Sequence, residues 1–393
     1  MLIVSLSIVF MGLAMVGCAY TLAATLIVRR YLRRPVPPVA GGPGVTILKP
    51  LRGAEPGLRD NLASFCAQDY PGPVQILFGV HDPRDPAIEV VGELIARYPD
   101  HDLELVIAAR RNWANGKIAT LAGMAERIRH DVIILADSDI RVGPRYLSTV
   151  TASLAQPLVG LVTCLYRGTF AGGLPARLAA MAIDYHFLPG ALLGLESGLA
   201  RPCFGSTIAL ERSTLAAIGG FEAFSQELAD DYAMGAAVRR AGLRVIVPRM
   251  VVEHRCTERS FAELVQHELR WARTIRAIDP GGFAGSIVTH PVPLALLALA
   301  LASFAPAKGL VTAAWCIVAT ASACRLVLQT QVRRTLKSDP SLRWLGPLRD
   351  VLSFAVFAAS FFVRAVNWRG KRYRVRADGT LIPLNEGLPL RQG

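Results

Sequence analysis

The stretch Asp131-Val-Ile-Ile-Leu-Ala-Asp-Ser-Asp139 decides how this chain is read. Its apolar run, Val132 to Ala136, has the length and composition of a strand buried on both faces of a parallel sheet. The run stops at two carboxylates, Asp137 and Asp139, with one serine between them. In an open α/β sheet, side chains at the C-terminal ends of strands project into the crevice where ligands bind. Two carboxylates placed there repel each other unless a cation lies between them. Hard cations such as Mg²⁺ or Mn²⁺ take carboxylate oxygens and share such sites with substrate phosphates. A lone Asp-x-Asp can equally be an Asp/Ser turn closing a strand, so the surrounding chain has to decide.

Upstream and downstream, short apolar runs alternate with helical patterns. Strands are expected at Val45–Leu48, Val74–Val80, Leu103–Ala108, Gly160–Tyr166, Phe204–Leu210 and Leu243–Val247. Helices are expected at Leu58–Cys66, Ala87–Tyr98, Lys117–Ile128, Asp230–Ala241 and Phe261–Ile278. Alternation of this kind predicts an α/β domain with a mostly parallel, doubly wound sheet flanked by helices.

The ends of the chain have a different character. Hydrophobic residues make up 52% of the 393 residues, and the mean hydropathy is +0.37, high for a wholly soluble protein. Leu2 to Val28 is nearly all apolar and exceeds the roughly 20 residues that cross a bilayer. Its positive charges, Arg29, Arg30, Arg33 and Arg34, follow the segment, the reverse of a cleaved signal peptide. Residues 1–30 therefore read as an anchor, 31–44 as a Pro/Gly linker, and 45–286 as a cytoplasmic α/β domain. Residues 287–368 read as membrane segments (Val288–Phe304, Leu310–Val327 and Val351–Val366), and 369–393 as a basic tail.

Three C-terminal crossings would place that tail on the wrong side for the positive-inside rule. One segment is thus expected to be re-entrant or interfacial, with the proline-interrupted Val288–Phe304 as first candidate. The broken apolar stretch Leu174–Leu199 reads as an interfacial or groove-lining segment, or else a buried core helix.

The net charge of +13 falls on the flanks of these apolar segments, which points to anionic lipid headgroups. No basic stripe is interleaved with aromatics, so nucleic acid is not an expected partner. Seven cysteines without a C-x-x-C pair fit neither a disulfide framework nor a zinc site, and place the domain in a reducing compartment.

Acidic and basic residues recur at predicted element ends: Asp82, Asp137 with Asp139, Asp230 with Asp231, Arg270 with Trp271, and Lys117 in Asn115-Gly-Lys. The acids suit a metal ion and a general base, and the cations suit a diphosphate. Glycosidases also pair carboxylates but need neither a metal motif nor an Arg-Trp cluster. A transporter would carry ionisable groups inside its membrane segments, which here are nearly free of acids. A non-catalytic nucleotide-binding membrane scaffold or transporter is the remote alternative.

The order Asp82, Asp137-x-Asp139, Ala229-Asp-Asp231 and His267-x-x-Arg270-Trp271 resembles the D, DxD, (E/D)D, QxxRW signature of processive-type family 2 and family 21 glycosyltransferases. The segments LKPLRGAEPGLRDNLASFCAQDYP, LADSDIRVGPRYL, GLVTCLYRG, CFGSTIALER and HELRWARTIR are similar to those of bacterial ceramide glucosyltransferase-like proteins. They are equally similar to glycosyltransferases associated with hopanoid biosynthesis. The resemblance covers about residues 44–290 and departs from the signature at His267.

That resemblance implies a GT-A-type catalytic domain in a multi-pass protein of the bacterial inner membrane. Its activity would be inverting transfer of glucose or N-acetylglucosamine from a UDP-sugar to a lipid hydroxyl, of ceramide or of a bacteriohopane polyol, with Mg²⁺ or Mn²⁺. It further implies that Asp82 contacts uracil or ribose, that Lys117 offsets donor charge, and that Asp137 lies by the nucleotide. Asp139 would ligate the metal, and Asp231 would be the general base with Asp230 as its substitute. Arg270 would hold the diphosphate and Trp271 would wall the acceptor. His254 and Cys203 are expected to be structural.

Overall fold

The computed structural model describes residues 1–31, 42–109, 111, 113–201, 203–305, 308–338 and 344–362, with short strands at 365–368, 371–375 and 381–383. The expected linker and tail lie largely outside the described residues.

The chain begins with α1 (Leu2–Tyr31) and enters the domain through β1 (Val45–Pro50), α2 (Leu58–Cys66), β2 (Val74–Val80), α3 (Ala87–Arg97) and β3 (Asp102–Ile107). There follow α4 (Gly116–Met124), β4 (Val132–Leu135), β5 (Ile140–Arg141), α5 (Tyr146–Leu154), β6 (Val159–Thr163) and β7 (Leu165–Phe170). Next come α6 (Leu174–Ala182), a π-turn (Ile183–Phe187), α7 (Leu188–Glu196), β8 (Ile208–Glu211), α8 (Arg212–Ala217), α9 (Asp230–Arg240), β9 (Arg244–Ile246) and β10 (Val251–Cys256). Five further helices follow: α10 (Phe261–Ile278), α11 (Pro280–Gly285), α12 (Pro291–Ser303), α13 (Lys308–Leu336) and α14 (Gly346–Ser360).

Seven strands form the main sheet in the order β3-β2-β1-β4-β8-β6-β9. The β1–β2, β2–β3, β1–β4 and β6–β9 pairings are parallel, while β8 is antiparallel to both β4 and β6. This is the mostly parallel GT-A-type layout expected, with one reversed strand at its middle. Alternate residues feed two separate cores. Ile47, Ile76, Phe78 and Ile134 pack under α2, α3 and α5. Leu48, Leu77, Ile133 and Leu135 pack under α4 and α9. Covering both faces is why all four residues of β4 are buried and apolar.

Three details differ from the sequence expectation. The strand predicted over Phe204–Leu210 starts only at Ile208. Before it, backbone N–H groups bond side chains instead of a neighbouring strand: Phe204 donates to Thr163 Oγ1 (2.8 Å) and Gly205 to Asp231 Oδ2 (2.8 Å). The predicted strand over Gly160–Tyr166 is two strands in different sheets, β6 and β7. A second sheet, β5-β10-β7, contains a strand that the apolar pattern did not disclose, β10, because it reads VVEHRC with polar residues at alternate positions.

Among the described residues, three helices are long and apolar enough to cross a membrane: Leu2–Tyr31 (30 residues), Gly309–Leu336 (28 residues) and the composite Leu174–Glu196 (23 residues). A further pair, Pro280–Thr289 and Pro291–Ser303, meets at a 71° bend, at the segment singled out for its prolines. Helix α1 runs antiparallel to α12, since Ser7 Oγ donates to Ala298 O (2.9 Å) while Gly17 lies against Val288 and Pro291. A Cβ at Gly17 would come within 2.5 Å of Val288 O, so only glycine permits that crossing. Helix α1 runs parallel to α13: Met11 packs with Ala314, Cys18 with Cys324, and Tyr31 with Leu336. The basic ends, Arg29 with Arg30 and Arg333 with Arg334, therefore share one end of the bundle, the end that packs on domain residues such as Leu165 and Tyr185.

The predicted membrane segment Val351–Val366 is instead the 15-residue helix α14, shorter than a crossing requires. It packs at the domain end of the bundle, where Arg349 and Asp350 reach α10 and α13.

Candidate active site

The C-terminal ends of β1, β2 and β4 lie along one edge of the sheet, and the acids of the sequence signature gather there around two lysines. Lys117 is delivered by the N-terminus of α4. Asn115 caps that helix, its Oδ1 accepting from the N–H groups of Lys117 (2.9 Å) and Ile118 (3.1 Å). The same side chain donates from Nδ2 to Asp230 Oδ1 (3.2 Å), so the first turns of α4 and α9 are joined. Lys117 Nζ then sits 2.6 Å from Asp137 Oδ1 and 3.4 Å from Asp230 Oδ2. Burial favours the neutral amine, but Asp137, Asp230 and Asp231 outweigh it and hold the ammonium well above its ordinary range.

Lys49, at the end of β1, is fully buried beneath this group. Its Nζ donates to Asp137 O at 2.5 Å and rests 4.0 Å from the centre of the Phe65 ring. Desolvation pulls its pKa down to about 7, against the attraction of Asp137 and Asp139.

Asp231 faces the ring from the first turn of α9. Its Oδ2 accepts the Gly205 N–H (2.8 Å) and its Oδ1 the N–H of Tyr232 (2.8 Å). Desolvation, then the charge of Asp230, raises its pKa to about 6, with Lys117 acting in the opposite sense. Gly205 lies where these groups converge. A Cβ there would meet Asp137 Oδ2 at 3.1 Å, Asp231 Oδ2 at 3.4 Å and Lys117 Nζ at 3.5 Å.

Asp139 points to the other side, toward the small sheet. Its backbone carbonyl accepts the N–H of Arg255 (2.9 Å). Its buried Oδ1 has no hydrogen-bond donor among the described residues; His254 Nδ1 is 3.6 Å away, too far for a hydrogen bond. His254 is thus part of the site's wall, although its sequence setting marked it as structural. Cys203 is buried in the core under α9 and stays structural.

Beyond His254 the surface turns aromatic. Tyr166 stacks on Phe187 (centroids 4.5 Å) and lies 5.6 Å from His254 and 6.5 Å from Trp271. Burial, then the charges of Asp231, Asp139 and Asp137, keep its hydroxyl protonated far above the usual range. Trp271 also packs on His267 (4.6 Å), which bonds Glu258 at 2.7 Å. His254 and Trp271 border a small cleft of ≈ 30 Å³, lined by Ala179, Ala182 and Ile183 on one wall and by His267, Glu268 and Trp271 on the other. Ala179, Ala182 and Ile183 of the apolar stretch line the cleft, while Leu178, Met181, Leu188 and Leu192 are buried in a core, so each of its two sequence readings describes part of it.

Two predicted residues are less integrated. Asp82 stands just past the end of β2 on the same sheet edge, but its carboxylate is 43% exposed and closes a local turn, accepting from Arg84 N–H at 3.0 Å. Arg270 precedes Trp271 on α10 and is half-buried.

Among the described residues no three His, Cys, Asp or Glu side chains form a ready metal cluster. The donor set still fits a hard divalent ion of the kind that keeps most of its waters and substrate oxygens, because Asp139 offers a buried carboxylate oxygen with nothing donating to it.

The profile of glycosyl transferase family 21 matches residues 9–381, nearly the whole chain. The chain belongs to glycosyl transferase family 21. Among curated family relatives, it is 26% identical over 210 residues to ceramide glucosyltransferase 1 of Caenorhabditis elegans, covering 52% of this chain and 44% of that protein. It is 33% identical over 122 residues to the ceramide glucosyltransferase of Candida albicans, covering 28% and 22%. The aligned parts thus span less than half the length of these relatives. Among solved structures, the mannosyltransferase PcManGT from Pyrobaculum calidifontis, in complex with GDP-Man and Mn2+, is 21% identical with a TM-score of 0.47, over 90% of this chain and 99% of that one.

Proposed function

We propose that this family 21 member transfers a hexose, glucose in the first instance, from a UDP-sugar to the primary hydroxyl of ceramide, with inversion at the anomeric carbon. The observation that carries the reading is the junction of two unlike surfaces at His254 and Tyr166. An acid-and-lysine ring lies on one side, and on the other an aromatic cleft is walled by an apolar helix of membrane-crossing composition. The names of the curated relatives favour ceramide over a bacteriohopane polyol.

The roles are those the family signature implies, supported for Asp231 and Lys117 by their geometry. Asp231, with its pKa raised to about 6, is ionised yet basic at neutral pH and takes the proton of the acceptor hydroxyl as that oxygen attacks the sugar. The direct attack displaces UDP in one step, so the anomeric configuration inverts. Lys117 stands beside Asp137 to offset donor charge, and Arg270 grips the diphosphate with charge-assisted hydrogen bonds. Asp139 would hold a Mg²⁺ or Mn²⁺ ion, whose charge on the leaving diphosphate is the chemistry that ion supplies. Asp82 positions the uridine. Trp271 and Tyr166 form the wall that shields the reacting atoms from water.

The shared basic end of α1 and α13 supports a domain on the cytoplasmic face. If the bent pair Pro280–Thr289 and Pro291–Ser303 forms one span between the parallel α1 and α13, the basic ends of α1 and α13 both face the domain's side, as the positive-inside rule asks.

The test is transfer from UDP-[¹⁴C]glucose to ceramide by the purified protein in lipid nanodiscs, with and without EDTA. A radiolabelled β-glucosyl lipid that disappears with EDTA supports the reading. Radiolabel remaining entirely in UDP-glucose and free glucose would sink it.

A further inference from the structure

The two walls of the cleft are held by a single guanidinium that belongs to neither. Arg349, on α14, is 1% exposed. Its Nη1 and Nη2 donate to Glu268 Oε1 and Oε2, both at 2.6 Å, which ties it to α10. Nη1 also donates to Leu178 O at 3.2 Å on α6, one residue before the cleft-lining Ala179. Glu268 is itself a cleft residue, three positions before Trp271 and so on the same helical face. The next residue of α14, Asp350, is fixed in turn. It accepts from Arg325 Nε (2.9 Å) and Nη2 (2.5 Å) on α13, and pairs with His186 (3.0 Å) in the π-turn that continues α6. One short helix therefore joins a membrane-crossing helix to both walls of the cleft. A π-turn at this junction is the kind of local irregularity that tends to accompany functional sites.

We propose that Arg349 is a positioning residue that sets the spacing between α6 and α10, and through it the fit of the acceptor lipid. This rests on the reading of the cleft as the acceptor site. A fork of three used donors in fixed directions is something a lysine cannot reproduce. The charge of Arg349→Lys survives, but the bond to one wall does not. The donor ring at the sheet edge is built from β1, β4, α4 and α9, none of which Arg349 touches, so acceptor and donor parameters separate.

The experiment uses the full chain in nanodiscs, as wild type, Arg349→Lys and Glu268→Gln, with UDP-[¹⁴C]glucose and a short-chain ceramide as probes. For Arg349→Lys the acceptor KM is expected to rise about tenfold, while the KM for UDP-glucose stays within about twofold. Glu268→Gln keeps the side-chain shape and is expected to shift the acceptor KM in the same direction. Hydrogen exchange of both variants is expected to quicken in α6 and α10 peptides and not in β1 or β4. Equal shifts in both KM values, or an unchanged acceptor KM, overturn the proposal, as does unchanged exchange in α6 and α10. A wild-type protein that passes no glucose to ceramide refutes the acceptor reading itself. An active wild type with a normal Arg349→Lys variant refutes only the role of Arg349.

Discussion

Two clusters in this protein both pair acids with bases and are used differently. At the sheet edge, Asp137, Asp139, Asp230 and Asp231 surround Lys117 and Lys49, four carboxylates to two amines. At the foot of the membrane bundle, Arg325 and Arg349 meet Asp350 and Glu268, one guanidinium to each carboxylate. In the second cluster every carboxylate oxygen accepts a hydrogen bond from an arginine. In the first, Asp139 Oδ1 is buried without a hydrogen-bond donor among the described residues, Asp230 Oδ2 has only the Lys117 ammonium 3.4 Å away, and Asp231 is held near a pKa of about 6. A matched buried ion pair is a closed structural unit. A surplus of desolvated negative charge is a site awaiting cations and protons.

The contrast can be broken by substitution. Asp231→Asn removes the proton acceptor while keeping its shape, and kcat is expected to fall by about 10²- to 10⁴-fold, with UDP-glucose binding by calorimetry retained. Wild-type turnover in that variant would remove Asp231 from the mechanism. In the structural cluster the effect should fall on stability. Asp350→Asn leaves the Arg325 charge uncompensated and is expected to cost about 3–5 kcal/mol, read as a lower melting temperature, with turnover per folded molecule little changed. A large loss of kcat without loss of stability would mean that the two clusters do not differ as argued.

Gly205→Ala sharpens the comparison at its closest point. Its Cβ would press on Asp137 Oδ2 at 3.1 Å and Asp231 Oδ2 at 3.4 Å. A loss of about tenfold in kcat/KM is expected from misplacing these groups, and unchanged kinetics would show that the ring tolerates displacement. The mildest test is pH. Asp231 serves as a base only when ionised, and its pKa of about 6 lies above the ordinary carboxylate value. kcat/KM is therefore expected to be half-maximal near pH 6 and to fall about tenfold per unit below it. A profile flat down to pH 4.5 would contradict the raised value.

Much of this was legible before any coordinates. The strand over Val132–Leu135 announced itself because a strand covered on both faces must be apolar without interruption. Asp137, Asp139, Lys117, Asp231 and Trp271 stood out because they fall at element ends and in a recognisable order. Lys49 did not, since a lysine at the end of a strand looks like a surface residue until Phe65 and Asp137 are seen to close over it. His254 was hidden in a strand whose polar alternation masked it, and Tyr166 in a break between two sheets. The exposed Asp82 shows the converse: a residue that fits the signature yet, in the fold, bonds only its own turn.

By itself the sequence determined the strand and helix alternation, the apolar segments, and the residue types able to carry charge at strand ends. Those properties are local, set by periodicity and composition over ten or twenty residues. Only the tertiary structure decided which carboxylates gather around Lys117, that α14 stops short of a crossing, and that Arg349 spans two walls of the cleft. Each of these depends on contacts between residues tens to hundreds of positions apart, where burial and pairing change the energy of a charge and nothing in the neighbouring sequence records the change.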